Sequence, residues 1–368
     1  PVWLMTVPVG LGGWEGGARL LALACVTAAL LLLHRILARH FEPPLALLAL
    51  AAAAASVFAL RYGRLFTTLT LAAPLYLGLL CVVLERRRTA WALPLVAALV
   101  LSSWDGVAGA AVLCVVLAAR RDLRPLAVFA VSLAFVAWHL LDATGGPAEL
   151  LWQFRWRAAG DEVTWGQWAQ SQLMALGEGL GPLSLLALVA SPWLAREREQ
   201  RVALALLAVP GLVMLVVFRQ GAVRHAFWGY NLIFPAAFAV ALVAARWRRL
   251  VPAVVGLQLA AGLFLAAQRA GEERAQNQLG LVARTLPQGA EVPVFARGGF
   301  HPYVSWYAGA TPLTVRTLAE LQAVTQPLVL ADTEYARTLG CPAVDGPRWQ
   351  VVPAPTLSAQ CSVSAARR

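Results

Sequence analysis

Five clusters of arginine divide the apolar parts of this chain, and they occupy every second gap between the apolar stretches. The clusters are Arg35 with Arg39; Arg86, Arg87 and Arg88; Arg120, Arg121 and Arg124; Arg196, Arg198 and Arg201; and Arg246, Arg248 and Arg249. Short loops that stay in the cytoplasm carry excess positive charge, whereas the loops on the other side do not. The alternation therefore predicts a chain that crosses a membrane many times, with every cluster on the cytoplasmic side.

The apolar content is high enough for this interpretation. Hydrophobic residues make up 60% of the 368 residues, and the mean hydropathy is +0.66. A perpendicular transmembrane helix needs about 20 apolar residues, so the shorter segments imply tilted helices or a thinner membrane. We predict about ten transmembrane helices, at residues 18–37, 45–60, 68–84, 91–103, 106–119, 125–141, 181–195, 202–218, 229–245 and 250–267.

The net charge of +11 would suggest a nucleic-acid partner in a soluble protein. Here the positive charge lies in the loop clusters, where membrane topology and anionic lipid headgroups account for it. We therefore exclude nucleic acid as a partner. We expect membrane lipids instead, and a location in the inner membrane of a bacterium.

Placing the clusters inside assigns the remaining connections to the outer side. These are residues 1–17, 61–67, 104–105, 142–180, 219–228 and everything after 268. The long loop 142–180 mixes Trp with charged residues, which is typical of helices that lie on a membrane surface. We expect this loop to form a lid or wall over an outward cavity. The count of helices and the start at Pro1 also lead us to expect that the chain lacks its beginning.

Residues 269–368 differ from the transmembrane domain 1–268 and have the composition of a water-soluble domain. Strand-like patterns at 292–296, 327–332 and 348–352 alternate with helix-like patterns at 317–324 and 333–340, and together they predict a small periplasmic α/β domain. In an oxidising compartment Cys341 and Cys361 could form a disulfide. The sequence leaves open whether the two cysteines approach closely enough.

Five stretches, taken in order, carry a resemblance to a known family. They are PVWLMTVPVGLGGWEGGARLLAL at 1–23, ALRYGRLFTTLTLAAPLYLGL at 59–79, SSWDG at 102–106, FRQGAVRHAFWGYNLIFPAAFAVAL at 218–242 and VSWYAGATPLTVRTLAELQA at 304–323. The chain resembles the bacterial protein O-mannosyltransferases and aminoarabinose transferases, which are multi-spanning glycosyltransferases of the GT-C type. The resemblance implies transfer of a sugar from a polyprenyl phosphate to a lipid, protein or glycan acceptor at the outer face.

Such a transfer needs a carboxylate to deprotonate the acceptor hydroxyl and cations to stabilise the leaving phosphate. Arginine suits the second role because its planar guanidinium binds phosphate bidentately. The outer-side candidates are Arg61, Arg64, Arg219 and Arg224, although each could equally be an interfacial anchor. By resemblance, His225 and Tyr230 would line the donor pocket, although a structural role for this histidine is an alternative.

Asp105 is the candidate catalytic residue within this chain, because it is the one acidic residue in the short outer turns after the first segment. It could orient a hydroxyl of the sugar or acceptor, or it could cap a helix that begins at Gly106. The resemblance places the main acid upstream of Pro1 and a second acidic position at Thr67-Thr68. We predict no metal site; Asp161 and Glu162 could bind a divalent ion, or they could form a solvated edge of the long loop.

Two other functions remain open. A transporter or lipid flippase would place ionisable residues in the middle of the membrane and often contain inverted repeats, and the sequence contains neither pattern. A non-catalytic homologue is favoured by Thr67-Thr68, which replaces an acidic residue expected from the resemblance.

Overall fold

A computed structural model describes most of the chain. The described residues are 2–62, 68–86, 89–144, 146–159, 163–224, 226–250, 256–257, 259–265, 267, 282, 285–286, 289–296, 311–339, 341 and 349–365. The chain divides into two compact units, Pro1–Ala266 and Ala267–Arg368. The predicted domain boundary after residue 268 lies close to this division. The two units are called unit 1 and unit 2 below.

Unit 1 is helical throughout its described part. Its α-helices are α1 (Val2–His40), α2 (Pro43–Ala54), α3 (Val57–Tyr62), α4 (Thr68–Leu84), α5 (Ala92–Ser102), α6 (Trp104–Ala119), α7 (Arg124–Thr144), α8 (Pro147–Ala159), α9 (Trp165–Leu180), α10 (Pro182–Leu194), α11 (Arg198–Val217), α12 (Arg219–Arg224) and α13 (Ile233–Arg246). Short 3-10 helices occur at Thr89–Trp91, Ala226–Leu232 and Arg248–Leu250. Every apolar segment predicted between residues 18 and 245 contains a helix.

Several of these helices are suited to a membrane. Four are long and apolar enough to cross one, namely Gly16–His40, Arg124–Asp142, Arg198–Val217 and Trp228–Arg246. Helices α9 and α10 are a further candidate, as a span that bends by 111°. The apolar helices α2, α4, α5 and α6 are shorter. The described residues of unit 1 are thus helical with four or five candidate spans, which is compatible with the expected helical membrane protein. The count of ten spans and the periplasmic location of unit 2 stay predictions.

Apolar side chains from most of these helices form one continuous core in unit 1. Helix α4 packs against α1, α5 and α6, while α13 packs against α2, α10 and α11. The largest fully buried side chains include Leu33, Leu77, Leu99, Leu113 and Phe238. In contrast, α7 is mostly exposed, with 11% of its apolar window buried, as expected of a helix that faces lipid.

The arginine clusters gather at one end of unit 1. Arg35, near the end of α1, donates two hydrogen bonds to the Glu85 carboxylate just after α4. Arg120, after α6, donates to the Val83 carbonyl oxygen at 2.7 Å, and Arg248, after α13, forms an ion pair with Glu42 at 2.7 Å.

The fourth cluster lies at the same end. Glu197 and Glu199, within the 196–201 cluster, contribute to the electrostatic environment of His40 at the end of α1. We call this end of unit 1, which carries Arg35, Glu42, Glu85, Arg120 and Arg248, the arginine end.

The other ends of α2, α4, α6, α11 and α13 therefore point away from the arginine end. There α3, α9, α12 and the 3-10 helix Ala226–Leu232 meet. Helix α3 contacts α9 and the 3-10 helix, and α12 contacts α8 and α9. We call this second end, formed by α3, α9, α12, the 3-10 helix and the start of α6, the site end.

Unit 2 has a four-stranded sheet with helices. Its strands are β1 (Glu291–Phe295), β2 (Thr311–Val315), β3 (Leu328–Asp332) and β4 (Trp349–Pro353), and its helices are α14 (Leu318–Gln322), α15 (Thr333–Thr338) and α16 (Ala354–Ala365). The strand order is β2-β1-β3-β4. Strand β1 pairs in parallel with β2 and β3, and β3 pairs antiparallel with β4.

The structure confirms the three predicted strands and two predicted helices of unit 2, to within a few residues. It adds β2 and α16, which the sequence did not predict. Cys341 and Cys361 are joined by a disulfide. The sequence left open whether the two cysteines approach closely enough, and in the structure they do. Both cysteines are buried in the core that contains Phe295, Val329 and Leu357.

Candidate functional site

A buried hydrogen bond at the site end joins two of the motifs that carry the family resemblance. The Asn231 side-chain amide donates to Asp105 Oδ2 at 3.1 Å, across 126 residues of sequence. Asp105 has a relative exposure of 5%. The Ser103 side chain and the backbone amides of Asp105 and Gly106 also hydrogen-bond with this carboxyl group. The SSWDG motif and the FWGYN segment are therefore held together inside the protein.

Asp105 does not cap its helix. Helix α6 begins at Trp104, and the Ser103 side chain accepts a hydrogen bond from the Gly106 amide at 3.0 Å. The predicted start of the helix at Gly106 is therefore wrong by two positions, and Ser103 has the capping role. Since the cap is provided by Ser103, the burial of Asp105 needs a different explanation, which its bond to Asn231 supplies.

A small cavity adjoins this carboxyl group. Its volume for the centre of a water molecule is about 10 Å³, which is room for about one water. The lining is mostly apolar and comprises Ala72, Tyr76, Leu99, Asp105, Gly106, Leu207, Pro210, Asn231 and Phe234. Among the described residues, no cationic side chain forms an ion pair with Asp105. The cavity is too small for a sugar or a peptide.

Tyr76 closes the cavity through a contact that depends on a proline. In an α-helix the amide of residue 210 would donate to the carbonyl of residue 206, but Pro210 has no amide hydrogen. The Tyr76 hydroxyl donates to the Leu206 carbonyl instead. Gly109 makes room for the ring, since a Cβ there would lie 2.7 Å from Tyr76 Cδ2. Helices α4, α6 and α11 are thereby locked together beside Asp105.

Helix α9, which belongs to the predicted lid, is docked onto the end of α11 and onto α12. Trp168 Nε1 donates to the Leu215 carbonyl at 3.0 Å, and Gln172 Nε2 donates to the Ala222 carbonyl at 3.0 Å. Trp168 and Gln172 are four residues apart and therefore share one face of the helix. A capping box formed by Thr164 and Gln167 fixes the start of α9. The docking confirms that loop 142–180 is helical, and its position relative to a membrane stays a prediction.

An arginine packs on an aromatic ring at this docking surface. The guanidinium carbon of Arg219 is 4.5 Å from the centroid of the Trp165 ring, which is a cation–π geometry. The Phe218 ring contacts Trp228 at 5.2 Å and Phe154 at 5.4 Å between centroids. The Arg219 Nε atom is buried and has no hydrogen-bond partner among the described residues. The site end thus holds a cation with an unused hydrogen-bond donor.

The residues predicted to bind the donor are only partly described. Tyr230 is buried, with a relative exposure of 2%, and its ring contacts Phe234 at 6.3 Å. Arg61 in α3 and Arg224 at the end of α12 are described by their backbone alone. Arg64 and His225 lie outside the described residues. The elements that carry Arg61, Arg224, Tyr230 and Asp105 all belong to the site end.

The metal prediction concerns residues that the structure does not describe. Asp161 and Glu162 lie outside the described residues. Elsewhere in the described part of the chain, no group of three or more His, Cys, Asp or Glu side chains could hold a metal ion. A divalent ion as cofactor therefore stays a prediction.

Sequence reasoning missed the partners of Asp105 and of Arg219. Asn231 lies next to Tyr230, but nothing in the local pattern indicates that it would reach the start of α6. The interior position of Pro210 in an apolar helix was a usable signal, because it predicts an unpaired carbonyl four residues earlier. The stacking of Arg219 on Trp165 needs tertiary structure and could not be read from spacing.

Comparisons with known proteins add no further evidence on identity. No protein-family model, curated protein or solved structure matches this chain.

Proposed function

We propose that this protein is a membrane-embedded inverting glycosyltransferase that uses a polyprenyl-phosphate sugar at the outer face of a bacterial inner membrane. The observation that carries the proposal is the buried contact between Asp105 and Asn231. It unites two motifs that individually resemble those of GT-C enzymes and that lie far apart in sequence. A chance resemblance gives no reason for those two motifs to meet.

The reaction is a substitution at the anomeric carbon of the sugar. The acceptor oxygen forms a bond to this carbon as the bond to the phosphate oxygen breaks. The electron pair leaves with the polyprenyl phosphate, and the acceptor proton passes to a carboxylate other than the enclosed Asp105. Cationic side chains stabilise the charge that develops on the phosphate.

Arginines of the site end supply that charge in our proposal. Arg219 has an unused Nε donor among the described residues and lies on an aromatic ring. Arg224 follows in the same short helix. Neither belongs to the clusters at the arginine end, so neither is accounted for by the rule that keeps positive charge in the cytoplasm.

Asp105 has a positioning role in this scheme. Its carboxyl group is buried and the adjoining space holds about one water, so a sugar or acceptor hydroxyl has no room to approach it. Instead, it holds Asn231 and with it the adjacent Tyr230. The acceptor remains a lipid, a protein or a glycan.

The disulfide of unit 2 supports the proposed orientation. Disulfides persist in the periplasm and are rare in the cytosol. The Cys341–Cys361 bond therefore favours a periplasmic unit 2, which requires the arginine end of unit 1 to face the cytoplasm if the ten-span topology holds.

Release of polyprenyl phosphate tests the function directly. The full-length protein in lipid nanodiscs would be incubated with polyprenyl-phosphate sugars and a bacterial envelope extract as acceptor. We expect turnover by the wild type, loss of turnover in Arg224→Ala, and normal turnover in Arg249→Ala, a control at the arginine end. Unchanged turnover in Arg224→Ala would remove the phosphate role of Arg224, and absence of wild-type turnover would contradict the enzyme.

A transporter is the second candidate, and two observations favour it. A carboxyl group is buried at Asp105, and α9 and α10 are a candidate broken span with a bend of 111°. Buried carboxyl groups and broken helices are common in proton-coupled transporters. Proton uptake into proteoliposomes, lost in Asp105→Asn, would support this candidate over the enzyme. A non-catalytic homologue would bind polyprenyl-phosphate sugar without turning it over.

A further inference from the structure

The break between α2 and α3, at the site end, is stabilised by side-chain hydrogen bonds and close packing. The Ser56 hydroxyl donates to the Ala53 carbonyl at 2.7 Å and accepts from the Ala59 amide at 3.2 Å. One buried side chain thus satisfies a carbonyl at the end of α2 and an amide at the start of α3. Gly262 lies in a helical stretch, residues 259–265, and a Cβ there would lie 2.3 Å from the Ala55 carbonyl oxygen, so this stretch packs directly on the break. The direction of α3 is therefore fixed.

Phe58, in the first turn of α3, fills a slot between two glycines. A Cβ at Gly179, near the end of α9, would lie 2.2 Å from Phe58 Cζ and 2.3 Å from Cε1. A Cβ at Gly229, in the 3-10 helix, would lie 3.2 Å from the same ring. Phe58 has a relative exposure of 2%. The ring therefore packs against backbone on two sides, so closely that a Cβ at Gly179 would clash with it and a Cβ at Gly229 would make an unusually tight contact.

The slot joins the elements that carry two predicted donor-binding residues. Arg61 lies one helical turn after Phe58, and Tyr230 directly follows Gly229. We propose that Phe58 is a positioning residue, which sets the spacing between α3, bearing Arg61, and the 3-10 helix, bearing Tyr230, around the site for the polyprenyl-phosphate sugar. This inference rests on the proposed function for its ligand. The packing of Phe58 between Gly179 and Gly229, which we call the interlock, does not depend on that function.

A pair of glycines in α9 provides a matched test. Gly179→Ala would drive a methyl group into the Phe58 ring, whereas Gly177→Ala meets nothing nearer than Leu185 Cδ2 at 4.0 Å. Displacing a substrate-positioning group by about 1 Å can lower the activity of an enzyme as much as 10²-fold. We therefore expect Gly179→Ala to raise KM for the polyprenyl-phosphate sugar by roughly 10- to 100-fold with a smaller change in kcat. Gly177→Ala should leave both constants within about twofold of the wild type.

Making room for the methyl group of Gly179→Ala should restore binding of the polyprenyl-phosphate sugar. Phe58→Leu removes the ring atoms that lie nearest to the new methyl group. The double variant Phe58→Leu/Gly179→Ala should recover most of the lost affinity. A general loss of folding would lower kcat through the active fraction and would leave KM of the remaining folded protein unchanged. Equal effects of Gly179→Ala and Gly177→Ala, or a double variant no better than Gly179→Ala, would overturn the proposal.

Hydrogen exchange separates this inference from the proposed function. In Gly179→Ala we expect faster amide exchange in residues 57–62 and 226–232 than in the wild type, with recovery in the double variant. Unchanged exchange in both segments would overturn the interlock, whether or not the protein is an enzyme. If Gly179→Ala does not fold, Gly229→Ala provides a milder variant, because its closest contact is the mobile end of Leu176 at 2.8 Å. If the wild type shows no turnover while exchange responds as expected, the proposed function fails and the interlock stands.

Discussion

The two ends of unit 1 are held together by different kinds of contact. At the arginine end the interactions are ion pairs at the surface, such as Arg35 with Glu85 and Arg248 with Glu42. At the site end they are buried hydrogen bonds and close packing against glycine, such as Asp105 with Asn231 and Phe58 with Gly179. Exposed ion pairs contribute little to stability, whereas buried polar groups are costly to leave unpaired.

This difference indicates that the two ends of unit 1 have different roles. In the proposed topology, charge at the arginine end sets the orientation in the membrane, and such an effect depends on the number of arginines rather than on exact geometry. The site end depends on geometry, because its buried contacts fix the relative positions of α3, α6, α9 and the 3-10 helix Ala226–Leu232. Substitutions at the site end should therefore have large local effects, and those at the arginine end small ones.

The largest expected effect follows from crowding Tyr76. Gly109→Val would force the Tyr76 ring away and would break its hydrogen bond to the Leu206 carbonyl. We expect a loss of roughly 2–5 kcal/mol in the free energy of unfolding, from overpacking and from the unpaired carbonyl. The measurement is unfolding in mixed detergent micelles. Gly16→Val is the control, since a Cβ at Gly16 would meet nothing within 4 Å, and an equal loss there would contradict the packing argument.

Asp105→Ala should cause the second-largest loss in the free energy of unfolding. It leaves the buried Asn231 amide without the carboxylate that accepts its hydrogen bond, which costs about 1–3 kcal/mol. Asp105→Asn keeps an acceptor oxygen of the same shape and should cost less than about 1 kcal/mol. The same unfolding assay compares the two variants. If they are equally destabilising, the charge of Asp105 matters more than its hydrogen bond, and the positioning role is wrong.

Arg35→Met tests the arginine end with a smaller effect. The side chains of Arg35 and Glu85 are 48% and 21% exposed, so solvent screens the pair. We expect a change in the free energy of unfolding within about 1 kcal/mol, which shrinks further in high salt. A loss as large as that of Gly109→Val would abolish the contrast between the two ends.

The smallest effect concerns the turn between α6 and α7. A hydrogen bond from Arg124, with a further one from Thr89, lowers the pKa of Asp122 below its usual value. A carboxyl group with a lowered pKa in the folded state contributes stability above its unfolded pKa, about 3.9, and loses that contribution as the pH falls towards the folded pKa. Asp122→Asn should therefore lower Tm slightly at pH 7, and the difference from the wild type should diminish below about pH 4. Asp142→Asn, which alters an exposed carboxyl group near the other end of α7, is the control.

The sequence predicted the arginine end better than the site end. Hydrophobic segments and arginine clusters are local patterns, and the helices and the shared end of the clusters follow from them. The contacts of Asp105, Tyr76 and Phe58 are set by the tertiary packing of helices far apart in sequence, which periodicity does not reveal. The apolar segment 45–60 was expected to be one helix, and the Ser56 cap that divides it into α2 and α3 was not recognised.

Unit 2 shows the same limit on a smaller scale. The predicted strands are apolar runs with β-branched residues, and they were found. Strand β2 contains Pro312 and two threonines, and its backbone pairing with β1 is what makes it a strand. Helix α16 has few large apolar side chains, and its buried residues are Ala354, Leu357 and the disulfide-bonded Cys361.

Orientation in the membrane is the central claim, and labelling of introduced cysteines tests it most directly. Arg121→Cys marks the arginine end, Gln170→Cys marks α9 at the site end, and Ala319→Cys marks unit 2; all three positions are exposed. With a membrane-impermeant maleimide on cells whose outer membrane is permeabilised, we expect Gln170→Cys and Ala319→Cys to be labelled. Arg121→Cys should be labelled only after the inner membrane is opened. Labelling of Arg121→Cys in closed cells, with protection of the other two, would contradict the account.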